Sequence, residues 1–118
     1  MIIGITRTND LNISIKKDIF MYDMNNLKKL GDLGKNANSG MKAFQQLDQA
    51  ALGDGAIPKK YKELMAIAVA LTTQCPYCLE IHKKHAIEAG ATKEELAEVT
   101  FITAALRAGA AVVHGTHL

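Results

Sequence analysis

Two cysteines and a histidine, closely spaced in the second half of the chain, could together carry redox chemistry. Cys75 and Cys78 are three positions apart, and His82 follows Cys78 by four. Pro76 suits the first turn of a helix, so the cysteines are expected at a helix N-terminus, within disulfide range and with the thiolate form favoured. The His82 imidazole, one turn further on, can accept the Cys78 proton. Such a pair can pass from thiolate through sulfenic acid to disulfide, which is the chemistry of a peroxide-reactive cysteine.

Glu63 is a candidate partner for this histidine. A helix break is predicted near Gln74, because Pro76 cannot lie deep inside a straight helix. The helices on either side then fold back on each other, and Glu63 and His82 differ in height by three residues, or roughly 4–5 Å. A carboxylate and an imidazole can meet across such a pair, directly or through one water. The glutamate would hold the histidine tautomer and strengthen the imidazole as a base.

A metal site is the main chemical alternative for the same stretch. Its cysteines and histidines have Cys2His2 composition: Cys75, Cys78, His82 and His85. All of them lie on one helix over about 15 Å, whereas zinc ligands converge from several directions at about 2.0–2.3 Å. A zinc site would therefore need ligands from elsewhere, such as His114 or His117. We predict no metal and no organic cofactor, and we expect His85 to face solvent.

Two regions are predicted from the change in composition along the chain. Residues 1–20 form an N-terminal extension, either poorly ordered or folded as a small hairpin, and residues 21–118 form a helical domain. In that domain a first helix is expected to break over the glycine-containing stretch 34–40. Ser39 is expected to cap a second helix, and Pro58 to lie in the first turn of a third. No strand–helix–strand pattern is found, so the class is all-α.

The third, fourth and fifth helices carry the clearest signals. The third is apolar all round over Leu64–Leu71, as in a central helix or a subunit interface. The fourth, entered at Pro76, is expected to stop at Gly90, and Thr92 with Glu95 forms a capping box for the fifth. The second half of the fifth helix is rich in alanine, so another helix can approach it closely. We predict an all-α domain of about five to six helices that assembles as an oligomer.

Length and composition narrow the class of protein further. The chain has 118 residues, two cysteines, 5% aromatic residues and a formal net charge of +2. Two cysteines are too few for a small secreted domain that is held together by disulfides. So weak a net charge with few aromatic residues argues against nucleic-acid binding. No uninterrupted apolar run reaches the length of about 18 residues that a membrane span needs, and a secretory signal is not recognised. We therefore expect a cytoplasmic protein with neither a membrane nor a nucleic-acid partner.

The four candidate site residues resemble a known family signature. Their spacing is similar to that of the AhpD-like alkylhydroperoxidases, within the carboxymuconolactone decarboxylase family: Glu63, eleven residues, Cys75, two residues, Cys78, three residues, His82. The similarity covers roughly residues 41–118, with the helices in the same order. Larger AhpD-like proteins are longer and carry a histidine between the cysteines, where this chain has Tyr77. The chain therefore resembles the small single-domain members.

The resemblance implies an all-helical fold that assembles into trimers or hexamers and reduces peroxides without metal or organic cofactor. It assigns the attack on the peroxide to Cys78 and the resolving role to Cys75. His82 and Glu63 would form the proton relay. The expected function is a thiol-dependent peroxidase for hydrogen peroxide or organic hydroperoxides, in antioxidant defence, with a dithiol or protein reductant. The alternatives are a thiol–disulfide oxidoreductase and a non-enzymatic oligomeric redox sensor, and decarboxylase activity is disfavoured because the family's decarboxylases lack the cysteine pair.

Overall fold

Residues 22–118 are described by the computed structural model, and within that range the chain is helical, without a strand. The α-helices in chain order are α1 (Leu30–Asn36), α2 (Asn38–Leu52), α3 (Lys59–Thr73), α4 (Pro76–Glu88) and α5 (Lys93–His114). A 3-10 helix, Met24–Lys29, precedes them, and another, Gly115–His117, follows. The predicted all-α class is confirmed for these residues. The predicted extension over residues 1–20 lies outside them.

Helices α3, α4 and α5 pack together and form the core that positions the site. Leu64 and Ile67 of α3 and Ala86 of α4 are buried. Ala86 has no exposed surface, because its small side chain allows α4 to lie close to α3. Partly buried apolar residues surround these three: Leu71, Leu79, Ala91, Leu96 and Val99. The core is thus small, and one buried polar residue of α3, Glu63, lies beside it with 1% of its surface exposed.

The corner between α3 and α4 is a left-handed turn at Gln74. Its φ is 54°, and this conformation directs the Cys75 N–H back to the Ala70 carbonyl at 3.1 Å. That bond satisfies a carbonyl at the end of α3, as αL helix ends commonly do. Arg107 of α5 also donates to the Thr72 carbonyl at 2.7 Å, which ties α5 to the same corner. The helix break predicted near Gln74 is confirmed, and it brings α3 and α4 side by side.

Helix α4 begins as the sequence predicts. Pro76 is in its first turn, where the missing N–H is not needed. Cys75 is the N-cap residue, and its Sγ accepts a hydrogen bond from the Cys78 N–H at 3.2 Å. The cysteine pair therefore lies at the N-terminus of α4, as expected.

The connection from α4 to α5 also follows the predicted signals. Gly90 has a φ of +94°, and the next N–H, of Ala91, returns to the Ala86 carbonyl at 2.9 Å. The Thr92 Oγ1 accepts from the Glu95 N–H at 3.1 Å, while the Glu95 carboxylate accepts from the Thr92 N–H at 2.9 Å. Both halves of the predicted capping box are therefore formed.

The sequence interpretation of the first two helices and of Pro58 is wrong in detail. The predicted break over 34–40 is confined to Ala37, and α2 starts directly after it without a side-chain cap from Ser39. Gly34 remains inside α1 and does not end the helix. A Cβ there would lie 3.1 Å from the Met41 side chain, so the glycine makes room for packing. Pro58 is the N-cap residue of α3, with an extended ψ of 147°, so it precedes the first turn.

Large apolar side chains remain exposed on all five α-helices, including α2, α3 and α5. On α5, Phe101 and Val112 are each 75% exposed, and α2 and α3 expose Leu47 and Val69. The radius of gyration is 18.6 Å, against about 13 Å for a compact chain of 100 residues. Helix α3 is therefore not enclosed on all sides, whereas a central helix would be. It buries one face and leaves the other open.

Helix α5 also bears on the expectation that no segment could span a membrane. The stretch Lys93–His117 has a mean hydropathy of 1.6 over its most apolar window, of which 11% is buried, and it is long and apolar enough to cross a bilayer. The expectation was based on uninterrupted apolar runs, which the threonines and Arg107 of α5 break up. The mean hydropathy of α5, unlike its uninterrupted apolar runs, is high enough for a membrane-spanning helix. A single such helix is weak evidence for a membrane, because helices from the cores of soluble proteins pass it too.

Candidate functional site

The two cysteines form a disulfide at the N-terminus of α4. Their Cα atoms are 5.3 Å apart, which is within the usual range for a disulfide. Both residues are half-buried. The predicted disulfide range of Cys75 and Cys78 is therefore met, and the structure contains the oxidised form of the pair.

Glu63 and His82 meet directly across the α3–α4 pair. The Nδ1 atom of His82 lies 2.7 Å from the Glu63 Oε2 atom. The Glu63 side chain is 2% exposed and that of His82 is 18% exposed. A carboxylate so well shielded needs a hydrogen-bond partner, and the imidazole supplies it. Of the two arrangements expected from the sequence, direct and through one water, the structure has the direct one.

His85, which the sequence predicts to face solvent, joins this group. Its Nδ1 atom lies 3.7 Å from the second carboxylate oxygen, Oε1, of Glu63, and its side chain is 43% exposed. The signal was available: His85 follows His82 by three positions, a spacing that places both on one helix face. What the sequence did not reveal is that the Glu63 carboxylate lies between them.

A cavity of about 320 Å³ opens beside the disulfide, and the side chains of both Cys78 and His82 line it. The remaining walls come from α2 and α3, and they are mostly apolar: Phe44, Leu47, Ala51, Leu52, Ala66, Val69 and Ala70, together with Asp48 and Thr73. Cys75 is not among the lining residues. The two cysteines thus differ in their surroundings, because only Cys78 faces this apolar space.

Three further candidate residues, Tyr77, His114 and His117, make contacts of their own. The Tyr77 hydroxyl accepts a hydrogen bond from Asn26 at 2.9 Å, and its ring packs edge-on against Tyr22 with centroids 5.7 Å apart. His114 and His117 pair with each other at the end of the chain, with ring centroids 5.1 Å apart. Among the described residues, the cluster of potential metal ligands contains neither of these histidines.

Comparison with known proteins identifies the family. The sequence model of the carboxymuconolactone decarboxylase family matches residues 39–118. A Paracoccus denitrificans protein, described as uncharacterised protein 4 in the cox locus, is 41% identical over 97 residues, or 80% of this chain and 87% of that protein. An uncharacterised Cupriavidus necator protein is 35% identical over 75% of this chain and 79% of its own length. The chain therefore belongs to the carboxymuconolactone decarboxylase family, which confirms the resemblance at that level.

Solved structures agree with this assignment. The apo crystal structure of a carboxymuconolactone decarboxylase family protein from Legionella pneumophila matches with a TM-score of 0.64 and 36% identity, covering 79% of this chain and 77% of that one. A protein from Methanobacterium thermoautotrophicum matches with a TM-score of 0.66 and 28% identity, covering 70% and 93%. The helical arrangement around the cysteine pair is thus a fold of this family.

Proposed function

We propose that the protein is a thiol-dependent peroxidase that reduces hydroperoxides through Cys78 and Cys75. One observation carries the proposal: Cys78 and His82 line the same cavity, and the His82 ring is held by a buried carboxylate. Nucleophilic chemistry needs a nucleophile, a base and a group that orients the base. Here these are Cys78, His82 and Glu63. Family membership supports the proposal, since the spacing of these residues resembles that of the AhpD-like peroxidases.

In the first half of the proposed cycle, His82 takes the Cys78 proton, and the thiolate attacks the distal oxygen of the hydroperoxide. The O–O bond breaks, and its electron pair leaves on the alkoxide, which His82 protonates to an alcohol. Cys78 is thereby oxidised to a sulfenic acid, and the peroxide is reduced. The Nδ1 atom of His82 is engaged by Glu63, so the proton moves through Nε2.

In the second half, the Cys75 thiol attacks the Cys78 sulfur. The S–S bond forms as the S–O bond breaks, and the departing hydroxide takes up the thiol proton and leaves as water. The disulfide between the two cysteines is the product of this step. A dithiol or a protein reductant then restores both thiols by exchange and is itself oxidised. A reducing compartment such as the cytoplasm, where we place the protein, favours that return.

The role of each cysteine follows from its surroundings. The helix dipole alone favours Cys75, which is the N-cap residue of α4. Access favours Cys78, because its side chain lines the cavity and the Cys75 side chain does not. His82 is also one helical turn from Cys78. We therefore assign the attack on the peroxide to Cys78 and the resolving role to Cys75.

The cavity walls suggest which hydroperoxides fit best. A volume of about 320 Å³ is at the lower end of the usual range for small-molecule pockets. Its apolar lining suits an alkyl or aryl group better than a second polar one, and hydrogen peroxide would leave most of it unfilled. Asp48 is the charged wall residue that would repel a carboxylate. We therefore propose uncharged organic hydroperoxides as the preferred substrates.

The proposed assembly is a homo-oligomer, a trimer or a hexamer. The apolar faces of α2, α3 and α5 remain open in the single chain, and its radius of gyration of 18.6 Å is too large for a compact domain of this length. Contact with further copies would bury those faces, as obligate interfaces do. The exposed α5 helix then needs no membrane to cover it.

Peroxide consumption with a dithiol reductant tests the proposal. We expect consumption to be lost in Cys78→Ser, while Cys75→Ser should accumulate a sulfenic acid on Cys78 that dimedone traps and mass spectrometry locates. The reciprocal control, dimedone treatment of Cys78→Ser, should leave Cys75 unmodified. Cumene hydroperoxide should react faster than hydrogen peroxide in wild type, and Phe44→Ala should reduce that preference.

The same assay separates the alternatives. Undiminished consumption by Cys78→Ser would remove the role assigned to that residue. Turnover of a disulfide substrate without peroxide consumption would select the thiol–disulfide oxidoreductase. Reversible oxidation of the pair without turnover of either substrate would select the redox sensor.

A further inference from the structure

We infer that Glu63, His82 and His85 form a binding site for a divalent transition-metal ion of the zinc type. One potential ligand atom from each of the three lies within 4.8 Å of the other two. From the sequence, a zinc site on α4 alone is not expected, because one helix face cannot surround an ion. The structure supplies the missing direction, because Glu63 approaches from α3 while both histidines belong to α4.

The separations of the ligand atoms are close to what a metal ion requires. Zinc ligands of this kind lie at about 2.0–2.2 Å, so pairs of them are roughly 3.3–3.6 Å apart around a tetrahedral ion. The carboxylate oxygens lie 2.7 Å from the His82 Nδ1 and 3.7 Å from the His85 Nδ1. Each histidine nitrogen therefore lies within about 1 Å of the required distance from a Glu63 oxygen. His85 can rotate most easily, since its side chain is 43% exposed.

The chemistry of the ligands selects the class of ion. Two imidazoles and one carboxylate suit zinc and its neighbours in the first transition series, whereas calcium and magnesium prefer oxygen ligands. Three protein ligands leave a fourth position open for water or another group, as in zinc sites with exchangeable ligands. The near-complete burial of Glu63 strengthens its attraction for a cation.

This site does not depend on free thiols or on peroxidase activity. The disulfide removes both cysteine sulfurs as thiolate ligands, while the three proposed ligands remain together. One consequence rests on the proposed function: an ion on the His82 Nδ1 would displace the hydrogen bond to Glu63. Zinc should therefore inhibit peroxide turnover, and metal binding should be measurable whether or not turnover exists.

Zinc binding to the oxidised full-length protein tests the inference. Isothermal titration with zinc chloride should give one ion per chain at micromolar concentration. His85→Gln, which alters a half-exposed side chain, and His82→Gln should each lower the affinity at least about tenfold. Cobalt should give the visible absorption of a four-coordinate ion, and zinc should displace it.

A matched control uses the other histidine pair. The double variant His114→Gln/His117→Gln removes two neighbouring imidazoles whose rings are 5.1 Å apart, and it should bind zinc like wild type. The inference is overturned by absence of binding, by wild-type affinity in His85→Gln or His82→Gln, or by loss of binding in the control. None of these outcomes depends on peroxide consumption, so failure of this site and failure of the proposed function are distinguishable.

Discussion

The buried contact between Glu63 and His82 predicts an unusual order of stability among three variants. His82→Leu leaves the carboxylate 2% exposed without its partner, whereas Glu63→Met leaves an imidazole that still has 18% of its surface in contact with water. Removing the histidine should therefore be the more damaging change. The double variant replaces both groups by apolar side chains of similar size, so nothing charged stays unpaired. We expect the double variant to be more stable than His82→Leu alone.

The magnitudes follow from the burial of each group. Loss of the partner of a buried carboxylate should cost about 3 kcal/mol in His82→Leu. Loss of one hydrogen bond to a partly hydrated imidazole should cost about 1 kcal/mol in Glu63→Met. The double variant should lose about 1.5 kcal/mol, which is about 2.5 kcal/mol less than the sum of the single variants. The His85 Nδ1 lies 3.7 Å from the other carboxylate oxygen, which is within ion-pair distance but too long for a hydrogen bond, so His85 offsets the loss only in part.

Urea unfolding with the disulfide intact and at one fixed protein concentration measures these values. A parallel cycle on Glu80 and Lys83 provides the control. These groups are 3.3 Å apart on the same helix, with 58% and 52% of their side chains exposed, so their coupling should be below about 0.5 kcal/mol. Additive costs for Glu63 and His82, or a coupling no larger than in the control cycle, would refute the argument from burial.

Three further predictions concern the elements around the site. Gly90→Ala should lower the free energy of unfolding by about 1 kcal/mol, because the φ of +94° disfavours any side chain although no atom obstructs one; thermal unfolding measures it. The Lys60 ammonium lowers the pKa of Glu95 from 4.5, helped by the Thr92 N–H. Glu95→Gln should therefore melt below wild type at neutral pH, and the difference should shrink as the pH falls below 4.5, as pH-dependent melting will show. Phe101→Asp on the exposed α5 face should shift sedimentation toward smaller species, and an unchanged profile would exclude this face from the proposed interface.

Local signals in the sequence predicted the helices that carry the site. Gly90, the capping box at Thr92 and Pro76 each act within one helical turn, so residue type alone indicates where α4 and α5 begin and end. The turn at Gln74 was predicted for the same reason, because Pro76 cannot continue α3. Once that turn is placed, helix geometry alone brings Glu63 to within roughly 4–5 Å of the height of His82. This part of the candidate site could therefore be predicted without any tertiary information.

Packing between distant residues accounts for what was missed. Gly34 was interpreted as a helix breaker, but it lies inside α1, and the Met41 side chain packs where a Cβ would be. His85 was expected to face solvent because the sequence of α4 does not indicate on which side of that helix Glu63 lies. Sequence spacing gives the height of a residue along a helix pair, but the rotation of each helix is settled only by the core that both share.

The His82 Nδ1 atom connects the two proposals and makes them compete. In the proposed peroxidase cycle this atom would carry the proton that bonds to Glu63, whereas a bound zinc ion needs the same nitrogen deprotonated and free. One chain therefore cannot hold the ion and the oriented base at once. Zinc should lower the rate of peroxide turnover in proportion to site occupancy, and a chelator should restore it. Weakening the site through His85, which the cycle does not use, should raise the zinc concentration needed for half-inhibition by the same factor as the dissociation constant.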